Sequence, residues 1–346
     1  MIEKVNYLGR KKYKLMICLV ISIFILFAGV TVGSAGISFS DVINILLNKT
    51  IGTSLEKNIT DVNVSIIWNI RFPRVIMAFA VGGALGMSGV VMQSVLRNPL
   101  ASSYTLGVSS GASLGAAIVI ISGITIPFVN QLTLPIVGFI FGLATVLFAM
   151  KLSLKFDRNM ENQTIILVGM VLSLFVNSIL TLVTTLSQEH LEQLVFWQLG
   201  SFSGSNWEKI LIIVTVCIIG VVFLLKYSRE MDTVTLGEEE ALSIGVEVKK
   251  VKTTLIVIAA FLTGSAVSLV GTIGFVDLIA PHVVRKFFGS SHKWVVPMSF
   301  ILGGCLMVLA DLFSRTLLAP RGLPVGAITS LIGAPFFAYI YFGRKK

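Results

Sequence analysis

The dipeptide Gly-Lys occurs nowhere in this chain. There is therefore no G-x-x-x-x-G-K-[ST] loop to cradle nucleotide phosphates, and the chain does not bind ATP by that means. The three histidines, His190, His282 and His292, are isolated, and no H-E-x-x-H or paired-carboxylate pattern lies in or beside an apolar run. Nothing there supports an integral membrane enzyme. The three cysteines, Cys18, Cys217 and Cys305, are scattered over apolar runs without metal-ligand spacing. They read as small buried hydrophobes rather than disulfide partners. No pattern calls for a cofactor or a resident metal. Charge is also scarce, at 13% of 346 residues, where a soluble domain carries roughly 25%.

What is present is apolar. Hydrophobic residues make up 55% of the chain and the mean hydropathy is +0.91. Apolar runs of about 20 residues recur along its length, as membrane-spanning helices require. The net charge of +10 then needs no nucleic acid, because excess Lys and Arg mark the cytoplasmic loops of membrane proteins. A basic segment, residues 1–14, precedes an apolar run at 15–35 that is too long for a signal-peptide core. It reads as an uncleaved first span with its N-terminus inside. Residues 36–70 read as a polar external loop with a short amphipathic piece at 40–47. Further spans are expected at about 71–96, 104–122, 134–154, 164–186, 207–225, 254–270, 276–288, 295–312 and 324–342. Pro73 is placed in the first turn of the second span, where its missing N–H costs nothing. Gly82 and Gly86 form a small-xxx-small pair on that span. Ten spans put both termini on one side, and 20 of the 27 Lys and Arg then fall inside, in keeping with the positive-inside rule.

One polar stretch, 235–250, interrupts the apolar sequence between spans six and seven. Thr235 and Glu238 have the spacing of a capping box. Glu238, Glu239 and Glu240 suit the positive end of a helix dipole. Ala241, Leu242 and Ile244 offer a small apolar surface, and Gly245 is placed to end the helix. The stretch is either an ordinary loop with a helical turn or a docking element for a soluble partner. Asp277 and the Asp311/Arg315 pair, four apart, stand near span ends, where anchoring or local pairing accounts for them. His282 reads as a packed structural histidine. Arg71, Arg74, Arg315 and Arg321 are four of the seven basic residues placed outside. They either snorkel at the interface or receive carboxylates of an external protein. Topology gains nothing from external arginine, which favours the second reading.

These residues, taken together, resemble the FecCD-type permeases of iron-siderophore, haem and cobalamin ABC importers. The resemblance is carried by Arg71-Phe72-Pro73-Arg74, Gly82 to Gly89 through Gln93 to Asn98-Pro99-Leu100-Ala101, and Leu106-Gly107 with Gly111-Ala112. It continues through Gly237 to Glu239, Ala241 to Val246, Gly271 to Phe275, Pro281-His282 with Arg285, Ala310-Asp311 with Arg315, and Leu323-Pro324-Val325-Gly326 to Gly333-Ala334-Pro335. It implies an all-α polytopic permease of type II ABC importer fold, with ten transmembrane helices and short cytoplasmic coupling helices between spans six and seven. It implies a second permease subunit, two cytoplasmic ATPase subunits and an extracellular or periplasmic substrate-binding protein. Leu236, Gly237, Glu238, Glu239, Glu240, Ala241, Leu242, Ser243, Ile244 and Gly245 match the family's ATPase-docking element. Arg71, Arg74 and Arg315 match the arginines that face acidic residues of the binding protein. Two departures touch the pathway. Asp277 stands where many members have a small residue, and Asn162-Gln163 lacks the Ser/Thr pair that some members carry near the inner gate.

The expectation is thus a multi-pass permease of the cell membrane that imports a ferric siderophore, with haem and cobalamin as successive alternatives. An ion-coupled secondary transporter is the contrasting class, but that class commonly uses a carboxylate at mid-membrane, and none is seen.

Overall fold

A computed structural model of the chain describes residues 2–33, 35–56, 58–319 and 321–343. Among these residues the structure is helical without a strand. The basic tail Arg344, Lys345 and Lys346 lies outside the described residues. The first half comprises α1 (Ile2–Thr31), α2 (Phe39–Ile51), α3 (Asp61–Ser65), α4 (Phe72–Val95), α5 (Val108–Ser122), α6 (Thr133–Phe156) and α7 (Asn162–Leu186). The second comprises α8 (Leu191–Leu199), α9 (Trp207–Lys226), α10 (Ser228–Leu236), α11 (Glu238–Ser243), α12 (Val248–Val270), α13 (Val276–Phe288), α14 (His292–Thr316) and α15 (Val325–Gly343).

Seven helical stretches among the described residues are long and apolar enough to cross a bilayer. The other three expected spans correspond to shorter helices, α5, α13 and α15. At about 1.5 Å per residue, a helix like α13 reaches only part of the way across a hydrocarbon core.

Helix α4 is the core of the bundle. Residues 80–95 are all buried, and α9, α12, α13 and α14 pack around them. Glycine makes this possible. A Cβ at Gly82 would run into the Gly303 carbonyl of α14, and one at Gly303 would run into the Gly82 carbonyl. Gly86 meets the Ser299 carbonyl in the same way, and Gly89 meets that of Asp277 in α13. Small residues let the backbones touch, and dispersion replaces the hydrophobic drive that lipid does not supply. Hydroxyls stitch the same seam. Ser88 contacts Ser103 at 2.5 Å, donates to the Ala259 carbonyl of α12 at 3.1 Å and accepts from Thr263 at 2.7 Å.

Three sequence expectations are corrected. Pro73 does lie in the first turn of α4, but the second span does not start afresh at Arg71, because helix runs unbroken from Asp61 to Val95 through a π-helical turn, Ile66–Arg71. Pro73 has no N–H to offer a preceding carbonyl. The wider turn absorbs this, with Phe72 N bonded to the Ile67 carbonyl, so the helix continues. Residues 36–70 hold more helix than the amphipathic piece expected at 40–47: α2 covers that piece, and α3 and most of the π turn follow. The capping box at Thr235 does not form: Thr235 lies in the last turn of α10, its hydroxyl donating to the Asp232 carbonyl at 2.7 Å. The docking stretch is a pair of helices whose break falls at Gly237, not at Thr235.

Candidate functional site

Polar contacts sort the loops onto two faces of the bundle. On one face lie Arg71, Arg74, Asp311 and Arg315. On the other lie α10, α11, the α6–α7 turn and the start of α14.

On the first face, the end of α1 has no basic residue of its own in its last turn, and its terminal carbonyls need donors. Arg71 donates to the carbonyls of Val30 at 3.4 Å, Thr31 at 2.8 Å and Ala35 at 2.9 Å. Arg315 donates to Val32 at 2.8 Å and to Gly29. Two guanidinium groups therefore cap α1, where cations suit the negative helix end. Arg74 grips Asp311 with two nitrogens, the shortest contact being 2.7 Å, and Arg315 Nε stands 3.5 Å from the same carboxylate. The local Asp311/Arg315 pairing expected from spacing is thus secondary to a pair with α4. These three arginines line a cavity of about 720 Å³ with Gly200, Ser201, Ser203 and Leu323. Arg71 is nearly buried, at 5% exposure. It shapes the cavity floor through α1 rather than standing out as a knob.

On the second face, α11 carries the expected docking residues. Glu238, Glu239 and Glu240 occupy its first turn. It ends as a Schellman motif, with Gly245 at φ +86, its N–H on the Leu242 carbonyl and the Val246 N–H on that of Ala241. Ala241 is buried, whereas Leu236, Leu242 and Ile244 are 74%, 60% and 68% exposed. Glu239, Glu240, Ser243 and Gly245 are exposed beside them. These large apolar side chains form an exposed cluster on an otherwise short polar element. The element is nonetheless anchored. Buried Lys252 of α12 reaches Glu238 at 2.9 Å and the Met160 carbonyl in the α6–α7 turn at 2.6 Å.

Between the faces runs a polar wall. Tyr104, Ser109, Ser110, Ser113, Ser173, Asn177, Gln198, Thr272 and Gly274, with Leu180 as the one aliphatic member, line an open cavity of about 340 Å³, without a charged side chain. Gly271, at φ +83, breaks the helix between α12 and α13 beside it, and Tyr104 holds the Ile273 carbonyl at 2.8 Å. Asp277, in the first turn of α13, is buried and accepts from Ser102. Asn162 and Gln163 face the turn at Asn98-Pro99 across another cavity, of about 370 Å³. His282 packs edge-on against Phe336 at 6.3 Å. Gly111-Ala112-Ser113-Leu114-Gly115 spells G-x-S-x-G, but Ser113 lies inside α5 rather than at a strand-to-helix turn. It is no nucleophile elbow. Composition gave no sign of His292, treated below, because its partners are far away in sequence.

A family model described as the FecCD transport family matches residues 18–343. The chain is 38% identical over 318 residues to YvrB, an uncharacterized ABC transporter permease protein of Bacillus subtilis, across 92% of this chain and 90% of that protein. It is 36% identical to the hemin transport system permease protein HmuU of Yersinia pestis, across 81% and 84%. It is 32% identical to the Fe(3+)-citrate import system permease protein YfmD of Bacillus subtilis, across 94% and 93%. A solved ABC transporter of metal-chelate type, in an inward-facing conformation, superposes with a TM-score of 0.83 at 28% identity, covering 96% of this chain and 99% of that one. The chain is a multi-pass membrane protein that belongs to the FecCD transport family, and it is an ABC importer permease rather than itself an enzyme.

Proposed function

We propose that this permease carries a ferric siderophore into the cytoplasm as one half of a permease dimer, driven by two ATPase subunits and fed by an external binding protein. The observation that carries the substrate reading is the neutral wall of hydroxyls and amides. Such a surface exchanges hydrogen bonds with an oxygen-rich chelate, whereas a porphyrin favours apolar and aromatic walls. Absence of charge lets a ligand slide without a deep electrostatic trap. In this reading ten helices lie in the membrane, the short α13 crossing only part of it, with both termini and the α10–α11 face in the cytoplasm, as the Lys and Arg bias favours. Residues 236–245 receive the ATPase. Arg71, Arg74 and Arg315, three guanidinium groups against the one carboxylate of Asp311, make the outer cavity attractive to acidic side chains of the binding protein.

The test is uptake by proteoliposomes holding the complete complex, offered a ferric hydroxamate, haemin and cobalamin in turn. Uptake of the hydroxamate above the other two supports the assignment. Preferential uptake of haemin or cobalamin overturns it while leaving the permease assignment intact.

A further inference from the structure

A polar chain, half-exposed at Asp232 and buried at His292, Ser94 and Gln93, links the docking helices to the wall, crossing four helices. Its first member is Asp232 of α10. This carboxylate accepts from the backbone N–H of His292 at 2.8 Å and from its ring Nδ1 at 2.5 Å. It thereby caps the start of α14 from another helix, where N–H groups lack intrahelical partners and negative charge is favoured. The other ring nitrogen, Nε2, lies 2.5 Å from Ser94 Oγ of α4. Ser94 also accepts from Arg285 of α13 at 3.2 Å, so its own hydroxyl hydrogen is free for the ring. The bonds therefore point one way: Arg285 donates to Ser94, Ser94 to His292, and His292 to Asp232. A cation stands at one end and a carboxylate at the other, so each bond polarises the next.

The chain does not stop at Arg285. Its guanidinium also donates to the side-chain oxygen of Gln93. The Gln93 amide donates in turn to the carbonyls of Leu278 at 3.3 Å and Asp277 at 3.4 Å, in the first turn of α13. That turn follows the broken segment at 271–275, whose Ile273 carbonyl is held by Tyr104 of the wall. His292 and Ser94 are each 1% exposed and Gln93 is 4% exposed. At these three residues, parting a link leaves a buried polar group unsatisfied. The helices that share the chain must move together.

We propose that His292 is a positioning residue of the transport cycle, through which displacement of α10 and α11 is carried by Ser94, Arg285 and Gln93 to the 271–275 break and the pathway wall. It touches no ligand. The proposal rests on the reading of α11 as the ATPase dock. Glutamine at position 292 can still donate to Asp232 and accept from Ser94. Leucine can do neither.

The test uses the complete complex, with Cys18, Cys217 and Cys305 replaced by serine and Ser173→Cys as a reporter on the wall. A water-soluble maleimide reads the exposure of the reporter with and without ATP and vanadate, so no transported ligand is needed. His292→Leu is expected to shrink the ATP-dependent change in labelling rate about tenfold, within the range seen for residues that modulate coupling between sites. Co-purification of the ATPase and its basal hydrolysis stay as in the parent, and His292→Gln restores the change. Ser94→Ala, which removes the middle link without adding volume, is expected to act like His292→Leu and decides the matter should that variant fail to fold. An undiminished labelling change in Ser94→Ala overturns the proposal, as does loss of ATPase co-purification together with the labelling change. Failure of the docking reading shows separately, as normal co-purification in a Glu239→Lys, Glu240→Lys variant.

Discussion

Arg74 and Asp311 close the seam between α4 and α14 as a forked ion pair, with Arg74 Nε 2.9 and 3.0 Å from the two carboxylate oxygens and Nη2 2.7 Å from Oδ1. Asp311 is 1% exposed. Its removal leaves two guanidinium groups facing a site without a counter-charge. Breaking a buried pair from one side costs about 3–5 kcal/mol. Asp311→Asn is therefore expected to lower stability by about 3 kcal/mol in thermal unfolding of the purified permease. A loss below about 1 kcal/mol, typical of an exposed pair, would contradict the seam account.

The glycine crossing gives a second prediction. Gly303→Val places a side chain against the Gly82 carbonyl, and overpacking of this kind costs about 1–3 kcal/mol. Gly274→Ala is the control, because nothing lies within 4 Å of a Cβ there. That variant is expected to stay within about 0.5 kcal/mol of the parent. Equal melting of the two variants would mean that the backbones do not meet.

Arg71 is expected to act as a cap. Arg71→Met leaves carbonyls of Val30, Thr31 and Ala35 without their donor, at about 1–3 kcal/mol for each buried group left unsatisfied. Limited proteolysis checks this directly, with faster cleavage expected between α1 and α2. Unchanged cleavage would show that α1 is held by other contacts.

The Asp232 carboxyl titrates with a definite sign. Burial pushes it up, but hydrogen bonds from the His292 ring and backbone N–H outweigh burial and hold it below the usual carboxylate range. A carboxyl depressed in the folded state contributes stability above its unfolded value, near pH 4, and loses it as pH falls through the folded value. Melting temperature is expected to drop on acidification below about pH 4, and Asp232→Asn is expected to flatten part of that slope. A parallel slope in the variant would contradict the role given to His292.

The sequence was most legible where local chemistry decides structure. The helix at 276–288 has the bounds expected of it, because Gly271 and Gly274 break the chain before it and Gly289 follows it. Gly245 closes α11 as its position suggested, and Gly82 and Gly86 lie on the seam. The misreadings share one cause. The spacing of Thr235 suggests a cap while nothing local marks Asp232, because the partner that makes Asp232 matter is His292, 60 residues away. The capping role of Arg71 and Arg315 leaves no local mark, because the carbonyls at and just beyond the end of α1 that they hold lie 36 to 41 and 283 to 286 residues distant. The helix preceding Arg71 is not legible, because a π turn leaves no mark in hydrophobic periodicity. Long-range polar pairing and local backbone accommodation are tertiary facts, and they decide most of the site.

The central claim is that energy enters through a separate ATPase seated on residues 236–245. Its most direct measurement is ligand uptake by proteoliposomes of the complete complex, supplied with ATP while ion gradients are collapsed. The account predicts that uptake continues, and that Glu239→Lys with Glu240→Lys abolishes it while the permease still inserts. Loss of uptake on collapse of the gradients, or full uptake by the charge-reversed variant, would contradict it.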